Sequence, residues 1–148
     1  MTTDAIRETV RVGLAPEQAF DLFTRRIGEW WPVASHSVSA GQGEPSKSLT
    51  LEPALGGALT ETGHDGTIHV WGHVEEWEPG RVVAMTWHPG KSADNQTRVR
   101  VEFEPEAEGT RVTLTHSGWE VLGPDAAKAR NGYNEGWVGV LDRYRAAA

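Results

Sequence analysis

Residues 123–148 read GPDAAKARNGYNEGWVGVLDRYRAAA, and this stretch decides the fold. Its large side chains Tyr133, Trp137, Leu141 and Tyr144 recur at spacings of four, four and three residues. An α-helix completes one turn about every 3.6 residues, so these side chains share one face of a helix. The stretch therefore predicts a long amphipathic helix that packs along one face against the rest of the chain.

Three glycines interrupt this predicted helix, which Pro124 is expected to open. Gly132, Gly136 and Gly139 each cost about 0.5 to 1 kcal/mol relative to alanine in a helix interior. One explanation is that the helix approaches a neighbouring sheet closely, or that the fold simply tolerates the glycines. The other is that the missing side chains leave volume for a ligand. The first explanation is favoured, and both stay open at this level.

The residues before the helix alternate apolar and polar side chains, which is the pattern of half-buried strands. The clearest pair spans residues 97–103 and 112–116, with a turn at Glu108 and Gly109, and it predicts a hairpin. Successive strands joined by short turns form an antiparallel meander with one wet face. The predicted strands cover residues 5–12, 48–52, 58–62, 67–77, 82–88, 97–103 and 112–116.

Two short helices are predicted between the first two strands. Pro16 stands at a first helical position, and Phe20 and Phe23 lie on one side of the helix that follows. Residues 27–31 predict a second short helix, which Pro32 ends because proline disfavours helical backbone in the residue before it.

Residues 33–48 are rich in serine and glycine, with proline near the end, and form the longest irregular segment of the sequence. Long segments without regular structure are uncommon in compact domains and often serve as binding lids. The segment is therefore a candidate lid over a binding site.

Composition limits the classes of function. A length of 148 residues suits one domain, and we expect residues 1–148 to form it. The absence of cysteine excludes disulfides, thiolate metal sites and a thiol nucleophile. A net charge of −7 disfavours nucleic acid as a partner. No signal-peptide pattern or apolar run of about 20 residues occurs, so we expect a cytoplasmic protein without a membrane partner.

Short strings along the chain resemble a known superfamily. The strings APEQAFDLF at 15–23 and WWP at 30–32 are similar to the opening of the SRPBCC or START-like superfamily. The strings GHVEEWEPGRVVAMTW at 72–87, GTRVTLTHSGW at 109–119 and GWVGVL at 136–141 resemble its branch named after the activator of the heat-shock-protein-90 ATPase. The ordered set covers nearly the whole chain.

The resemblance implies an α+β helix-grip fold, also called START-like or Bet v 1-like. In this fold a curved antiparallel sheet wraps a long C-terminal helix, two short helices lie near the N-terminus, and a cavity separates sheet from helix. Members bind lipids, hormones, polyketides and other mostly apolar molecules, and a few catalyse cyclisation or hydroxylation-linked steps. The name of the branch adds a co-chaperone role.

Strand parity predicts which side chains line such a cavity, because successive residues of a strand point to opposite faces. Three sets of alternate residues, at 83–87, 99–103 and 112–116, are expected to face the helix, and Glu61 shares a face with Leu59. One carboxylate and one imidazole would orient a ligand in a mainly apolar pocket. The predicted ligand contacts are Glu61, Val83, Met85, Trp87, Val101, Phe103, Leu114, His116, Tyr133 and Trp137.

Each polar candidate has a structural alternative. His116 is equally well explained as a core histidine whose ring nitrogens bond to backbone or water. Glu61 is slightly better explained as a strand-end carboxylate that reaches solvent. Trp87 and Trp137 serve packing at least as well as recognition. Adjacent Glu75 and Glu76 would point to opposite faces of a strand unless a bulge intervenes, so they do not form a catalytic pair.

Metal and cofactor chemistry is not expected. His69 and His73 have the spacing of helical metal ligands, but on a strand they stand about 13 Å apart, too far for one ion. The sequence contains no HExxH, GxSxG or GxxxxGK[ST] motif, and Gly41-Gln42-Gly43 lacks the third glycine of a dinucleotide fingerprint. We therefore expect neither a bound metal nor a cofactor.

Three functions stay open on this evidence. The first is a binding module that holds a small apolar or amphipathic molecule for carriage, sensing or sequestration. The second is an enzyme in which Glu61 or His116 acts as general acid or base on a cyclic or polyketide-like substrate in the same cavity. The third is a protein-binding, co-chaperone-like role that rests on the family name. Exposed edge strands and rim tryptophans also make a homodimer an expectation.

Overall fold

The computed structural model describes residues 3–148 as one curled seven-stranded antiparallel sheet with a long C-terminal helix. The predicted α+β helix-grip architecture is confirmed. The strands are β1 Ile6–Val12, β2 Ser48–Leu51, β3 Ala58–Thr62, β4 Ile68–Glu78, β5 Val82–Trp87, β6 Thr97–Glu106 and β7 Gly109–Ser117. The α-helices are α1 Pro16–Phe23 and α2 Ala126–Ala147, and 3₁₀ turns span Ile27–Glu29, Ala40–Gln42, Ala93–Asn95 and Trp119–Asp125.

The sheet is a meander with one exception at its edge. Its strand order is β1-β7-β6-β5-β4-β3-β2, so β2 to β7 follow one another and β1 closes the far side by pairing with β7. All neighbouring strands are antiparallel. The β6–β7 hairpin pairs Val101 with Leu114 and Val99 with His116, which places these side chains on the face toward α2. The predicted strand set and hairpin are therefore present, with ends that shift by a few residues.

The outer face of the sheet carries ion pairs. A register shift in β4 between Val74 and Glu76 brings both adjacent glutamates to this face. Glu75 contacts Arg98 at 2.6 Å, and Glu76 contacts Arg100 at 3.2 Å. The bulge, which is the stated exception to the prediction, thus overrides simple alternation and puts the two glutamates on one face. Both act as solvated partners of arginines.

The N-terminal connection contains one α-helix and one 3₁₀ turn, so the prediction of two short helices is wrong for the second. α1 buries Phe20 and Phe23 as expected. The segment after it forms a 3₁₀ turn, in which the Trp30 N–H donates to the Ile27 carbonyl at 3.4 Å, and it adds one α-type bond from the Trp31 N–H to the same carbonyl at 3.1 Å. Gly28 packs directly on the Leu49 carbonyl, where an added Cβ would overlap, so this close approach to β2 requires glycine.

Helix α2 has the predicted apolar stripe but begins later than predicted. Its Trp137, Leu141 and Tyr144 are buried against the sheet and α1. Gly123 adopts φ 60° and ψ −130°, a conformation outside the helical region. This break confines Pro124 to the preceding 3₁₀ turn, and α2 starts at Ala126.

The core is densest where α1, α2 and the sheet meet. The Phe20 ring lies 5.3 Å from that of Phe103, and the Phe23 ring lies 5.1 Å from that of Tyr144. The Tyr144 hydroxyl donates to the Ala19 carbonyl at 2.8 Å and ties the last turns of α2 to α1. The C-terminal half of α2 is therefore a packing element, and its N-terminal half is left for the site described below.

Two other expectations concern the surface. Strands β1 and β2 are the outermost in the sheet, and the expected homodimer stays a prediction. Within residues 3–148, no helix combines the length and apolar character that a membrane span requires.

Candidate functional site

A cleft of about 880 Å³ lies between the N-terminal half of α2, the concave side of β4 and β5, and two loops. The first loop is the segment 33–48, called the lid loop below, and the second is the turn at 89–91 after β5. The cleft is open to solvent on one side. Its volume falls in the range of about 300 to 1,000 Å³ that is usual for small-molecule sites.

Four tryptophans form the floor of the cleft. The Trp31 ring lies 5.4 Å from Trp71, 6.0 Å from Trp87 and 5.8 Å from Trp137, measured between ring centroids. Trp87 and Trp137 are 5.4 Å apart. Edge-to-face and tilted contacts of this kind stabilise aromatic clusters beyond their buried area. The floor is thus a closely packed aromatic cluster that borders the open volume.

Small residues on α2 create the empty space. An added Cβ at Gly132 would meet no atom within 4 Å, and one at Gly136 would meet only the His36 imidazole at 3.6 Å. Both glycines line the cleft, as does Ala129. Neither approaches the sheet closely, so close packing on the sheet does not explain these two positions, which leaves volume for a ligand or simple tolerance of glycine as the explanation. Gly139 lies outside the cleft, and a Cβ there also meets nothing.

Glu61 holds the lid loop in place. Its Oε1 accepts hydrogen bonds from the Val38 N–H at 2.8 Å and the Trp71 indole N–H at 3.0 Å. Its Oε2 accepts from the Ser39 N–H at 3.0 Å. The side chain is fully buried, so the alternative in which Glu61 reaches solvent is wrong. These bonds fix the lid loop against β3 and β4 and occupy both carboxylate oxygens.

Further hydrogen bonds stiffen the lid loop. The Trp31 indole N–H donates to the His36 carbonyl at 2.6 Å, and the Ser37 hydroxyl donates to the Val33 carbonyl at 2.7 Å. The buried Ser39 hydroxyl accepts the His64 N–H at 3.0 Å. The loop is therefore built into the fold, and its inner surface forms a preformed wall of the cleft.

His116 is buried beneath the cleft. Trp137 Nε1 lies 2.9 Å from its Nδ1, and Thr97 Oγ1 lies 2.6 Å from its Nε2. The ring also makes a tilted contact with Trp119, with 4.1 Å between the ring centroids. Burial lowers the pKa of His116 to about 3, because the charged imidazolium loses its hydration. The ring is neutral at physiological pH, and both of its nitrogens are engaged by protein groups.

The sequence of the chain matches a known family. The family model described as Activator of Hsp90 ATPase homolog 1-like protein covers residues 14–147. The chain belongs to this family. The resemblance read from the short strings, including its place in the SRPBCC superfamily, is confirmed. No protein with a curated description matches the sequence of this family member.

Solved structures share the fold of this family member across its length. Protein MLL2253 from Mesorhizobium loti is 18% identical with a TM-score of 0.68, covering 96% of this chain and 94% of its own. Protein SSP2350 from Staphylococcus saprophyticus is 21% identical with a TM-score of 0.67, covering 96% and 89%. The anthrahydroquino-γ-pyrone synthase Txn09, solved in a complex with SUM, is 29% identical with a TM-score of 0.64, covering 100% of both chains.

The cleft of this family member contains only some of the residues predicted to contact a ligand. Trp87, Tyr133 and Trp137 line it. The others are fully or almost fully buried in the packed interior and do not line it: Glu61, Val83, Met85, Val101, Phe103, Leu114 and His116. Strand parity identifies the side chains that point to the inner face of the sheet. It does not show whether such a side chain packs against other protein atoms or borders the open cleft. The proposals below rest on the residues that line the cleft.

Sequence reasoning missed most of the cleft wall. The lid loop contributes Ser35, Ser37, Val38 and Ala40, and the mouth carries two lysines, Lys91 and Lys128. The lid prediction for residues 33–48 was the available signal, but no residue in it was named. Within residues 3–148, no group of three or more acidic or histidine side chains is arranged to hold a metal ion.

Proposed function

We propose that the chain binds a small apolar or amphipathic molecule in the cleft. The observation that carries this proposal is the open volume of about 880 Å³ over the floor of Trp31, Trp71, Trp87 and Trp137. Concave, mostly apolar sites with a few polar groups are the usual architecture of ligand pockets. The α2 glycines support the proposal, because they keep the volume open at a cost in helix stability.

A binding role fits the polar groups better than acid–base catalysis does. A general acid or base must reach the substrate and exchange a proton with it. His116 is neutral, buried and bonded at both nitrogens, and Glu61 has its oxygens occupied by three N–H groups. Neither side chain lines the cleft.

An enzyme acting on a cyclic or polyketide-like substrate is the second candidate. Its support is the 29% identity over the whole chain to Txn09, whose name describes a synthase. In this candidate the cleft would fold or orient a reactive substrate, and rate enhancement would come from positioning. The co-chaperone role has the family name as its support.

The binding proposal is tested with a matched pair of glycine variants. Gly132→Leu fills the cleft, and Gly139→Leu adds the same side chain to the same helix outside it. Both changes favour helix formation, so neither is expected to unfold the protein. The probe is anilinonaphthalene sulfonate, an amphipathic aromatic molecule whose fluorescence rises in apolar sites. We expect Gly132→Leu to weaken probe binding at least about tenfold, which corresponds to about 1.4 kcal/mol.

The pair also gives the result that rejects the proposal. Equal probe affinity in the wild type and both variants means that the cleft is not a binding site. Native mass spectrometry of the purified protein provides an independent check, because a co-purifying molecule should be present with Gly139→Leu and absent with Gly132→Leu. The enzyme candidate requires, in addition, turnover of a polyketide-type substrate that Gly132→Leu abolishes.

A further inference from the structure

One buried polar group on the floor of the cleft lacks a partner. Trp87 is 4% exposed, and among residues 3–148 its indole N–H has no hydrogen-bond acceptor. Buried N–H groups are nearly always paired in folded proteins, because water cannot solvate them there. The exception therefore needs an explanation.

The other buried tryptophans follow the rule. Trp31 donates to the His36 carbonyl, Trp71 to Glu61 and Trp137 to His116. Trp30 and Trp119 donate to the carbonyls of Leu22 and His116. Packing in this core is thus compatible with full pairing of indole N–H groups. The unpaired N–H belongs to a tryptophan that lines the cleft.

A second polar group lies beside the Trp87 N–H. Tyr133 lines the cleft from α2, and burial raises the pKa of its hydroxyl, an effect that the Trp87 N–H partly offsets by favouring the phenolate. Both rings also pack on the same imidazole, with the Tyr133 centroid 4.9 Å and the Trp87 centroid 6.3 Å from that of His116, and the Trp87 N–H makes no hydrogen bond of standard geometry. An indole N–H only donates, whereas a phenol hydroxyl can turn to donate as well. Together they form a pair of neutral donors at one point of an apolar surface.

Resting on the proposed function, we infer that the ligand is a planar aromatic carbonyl compound, such as a quinone, whose carbonyl oxygen accepts hydrogen bonds from the Trp87 indole N–H and the Tyr133 hydroxyl. A carbonyl oxygen has two lone pairs and accepts both donors. The tryptophan rings of the floor are tilted by 50° and 47° to one another, and an aromatic ring system can pack on them in offset or edge-to-face contacts. A carboxylate at this point would be buried against two neutral groups without a cation, which is costly.

Two probes that differ only in the carbonyl groups test the inference. Anthraquinone carboxylate and anthracene carboxylate, substituted at the same ring carbon, have the same acid and a similar flat shape. Titration should show that the wild type binds the quinone about tenfold more tightly than the hydrocarbon. Trp87→Phe and Tyr133→Phe should each reduce the preference for the quinone over the hydrocarbon several-fold, because any loss of contact area in the cleft weakens both probes alike. Circular dichroism verifies that both variants are folded.

Nuclear magnetic resonance supplies a measurement that would not change if Trp87 served only to pack the core. In ¹⁵N-labelled wild-type protein, the indole cross-peak that disappears in Trp87→Phe belongs to Trp87. This cross-peak should shift downfield with the quinone and not with the hydrocarbon. Equal affinities for the two probes, or an unchanged quinone preference in both variants, overturns the inference and leaves the proposed function standing. If neither probe binds while anilinonaphthalene sulfonate does, the inference fails alone; if no probe binds, both fail.

Discussion

The indole N–H of Trp137 donates a hydrogen bond to Nδ1 of His116 across 2.9 Å. Because an indole nitrogen cannot accept, Nδ1 must carry the lone pair, and the neutral ring carries its hydrogen on Nε2. That hydrogen points to Thr97 Oγ1 at 2.6 Å, and the threonine hydroxyl donates onward to the Trp87 carbonyl at 3.2 Å. One directional chain of hydrogen bonds thus joins α2 to three strands beneath the cleft.

The hydrogen-bond chain through His116 predicts that the free energy of unfolding depends on pH. The folded-state pKa of His116 is about 3, below its ordinary value of 6.5, so the unfolded protein takes up a proton first as pH falls. The contribution of His116 is fully present above about pH 6.5 and is lost as pH falls toward 3. The free energy of unfolding should decrease by up to about 1.4 kcal/mol per pH unit in that window. Urea titrations between pH 4.5 and pH 7.5 measure this slope.

The matched variant for this prediction is His116→Gln, which retains one acceptor and one donor but does not titrate. Its slope should be shallower than that of the wild type, and the difference isolates His116 from the carboxylates that also titrate. Identical slopes in the two proteins would show that His116 is not held neutral by its surroundings.

The hydrogen bonds that Glu61 accepts predict that this buried carboxylate holds the lid loop in place. Glu61→Gln leaves one acceptor oxygen for three N–H donors and turns an amide NH₂ toward them. We expect the free energy of unfolding to fall by roughly 1 to 3 kcal/mol. Hydrogen exchange at the Val38 and Ser39 amides should accelerate, and binding of anilinonaphthalene sulfonate should weaken as the wall loosens. Glu44→Gln, at an exposed position in the same loop, is the control. Unchanged exchange in Glu61→Gln would contradict the role of Glu61 as an anchor.

The fold was predictable because its signals are local. Alternation in the β6–β7 hairpin and the Tyr133–Trp137–Leu141–Tyr144 stripe each follow from the repeat of one element, and burial of the alternating set enforces the register. The start of α2 was not predictable from Pro124, since it depends on the backbone break at Gly123. A local pattern also does not show that the bulge at Glu76 turns both β4 glutamates outward.

The site was less predictable, because it depends on where non-local segments meet. Strand parity places both Met85 and Trp87 on the inner face, yet only Trp87 lies where the lid loop leaves space above it. Helices α1 and α2 fill one end of the curled sheet with aromatic rings, so the inner-face side chains at that end are packed against protein. Which inner residues face open volume is therefore a property of the assembled loops and helices.

The mouth of the cleft predicts a preference for acidic amphipathic ligands. Lys91 and Lys128 line the cleft together with one acidic residue, Asp125, and no acidic side chain within residues 3–148 forms an ion pair with either lysine. The double change of both lysines to glutamine should weaken anilinonaphthalene sulfonate binding about two- to fivefold at low salt, the size typical of exposed charge pairs. The difference should vanish in about 1 M salt, where charges are screened. Lys47→Gln, outside the cleft, is the matched control, and equal losses in both proteins would reject the local effect.

The position of Tyr144 outside the cleft predicts that the C-terminal half of α2 contributes to stability and that its N-terminal half contributes to ligand binding. Tyr144→Phe removes the buried hydrogen bond to the Ala19 carbonyl. The free energy of unfolding should fall by about 1 kcal/mol in urea titrations. Probe affinity should stay at the wild-type value, because Tyr144 lies outside the cleft. Tyr133→Phe, on the same helix, should show the opposite pattern of near-normal stability and weaker quinone binding. If Tyr144→Phe weakens binding as much as Tyr133→Phe, the helix acts as one unit and the division fails.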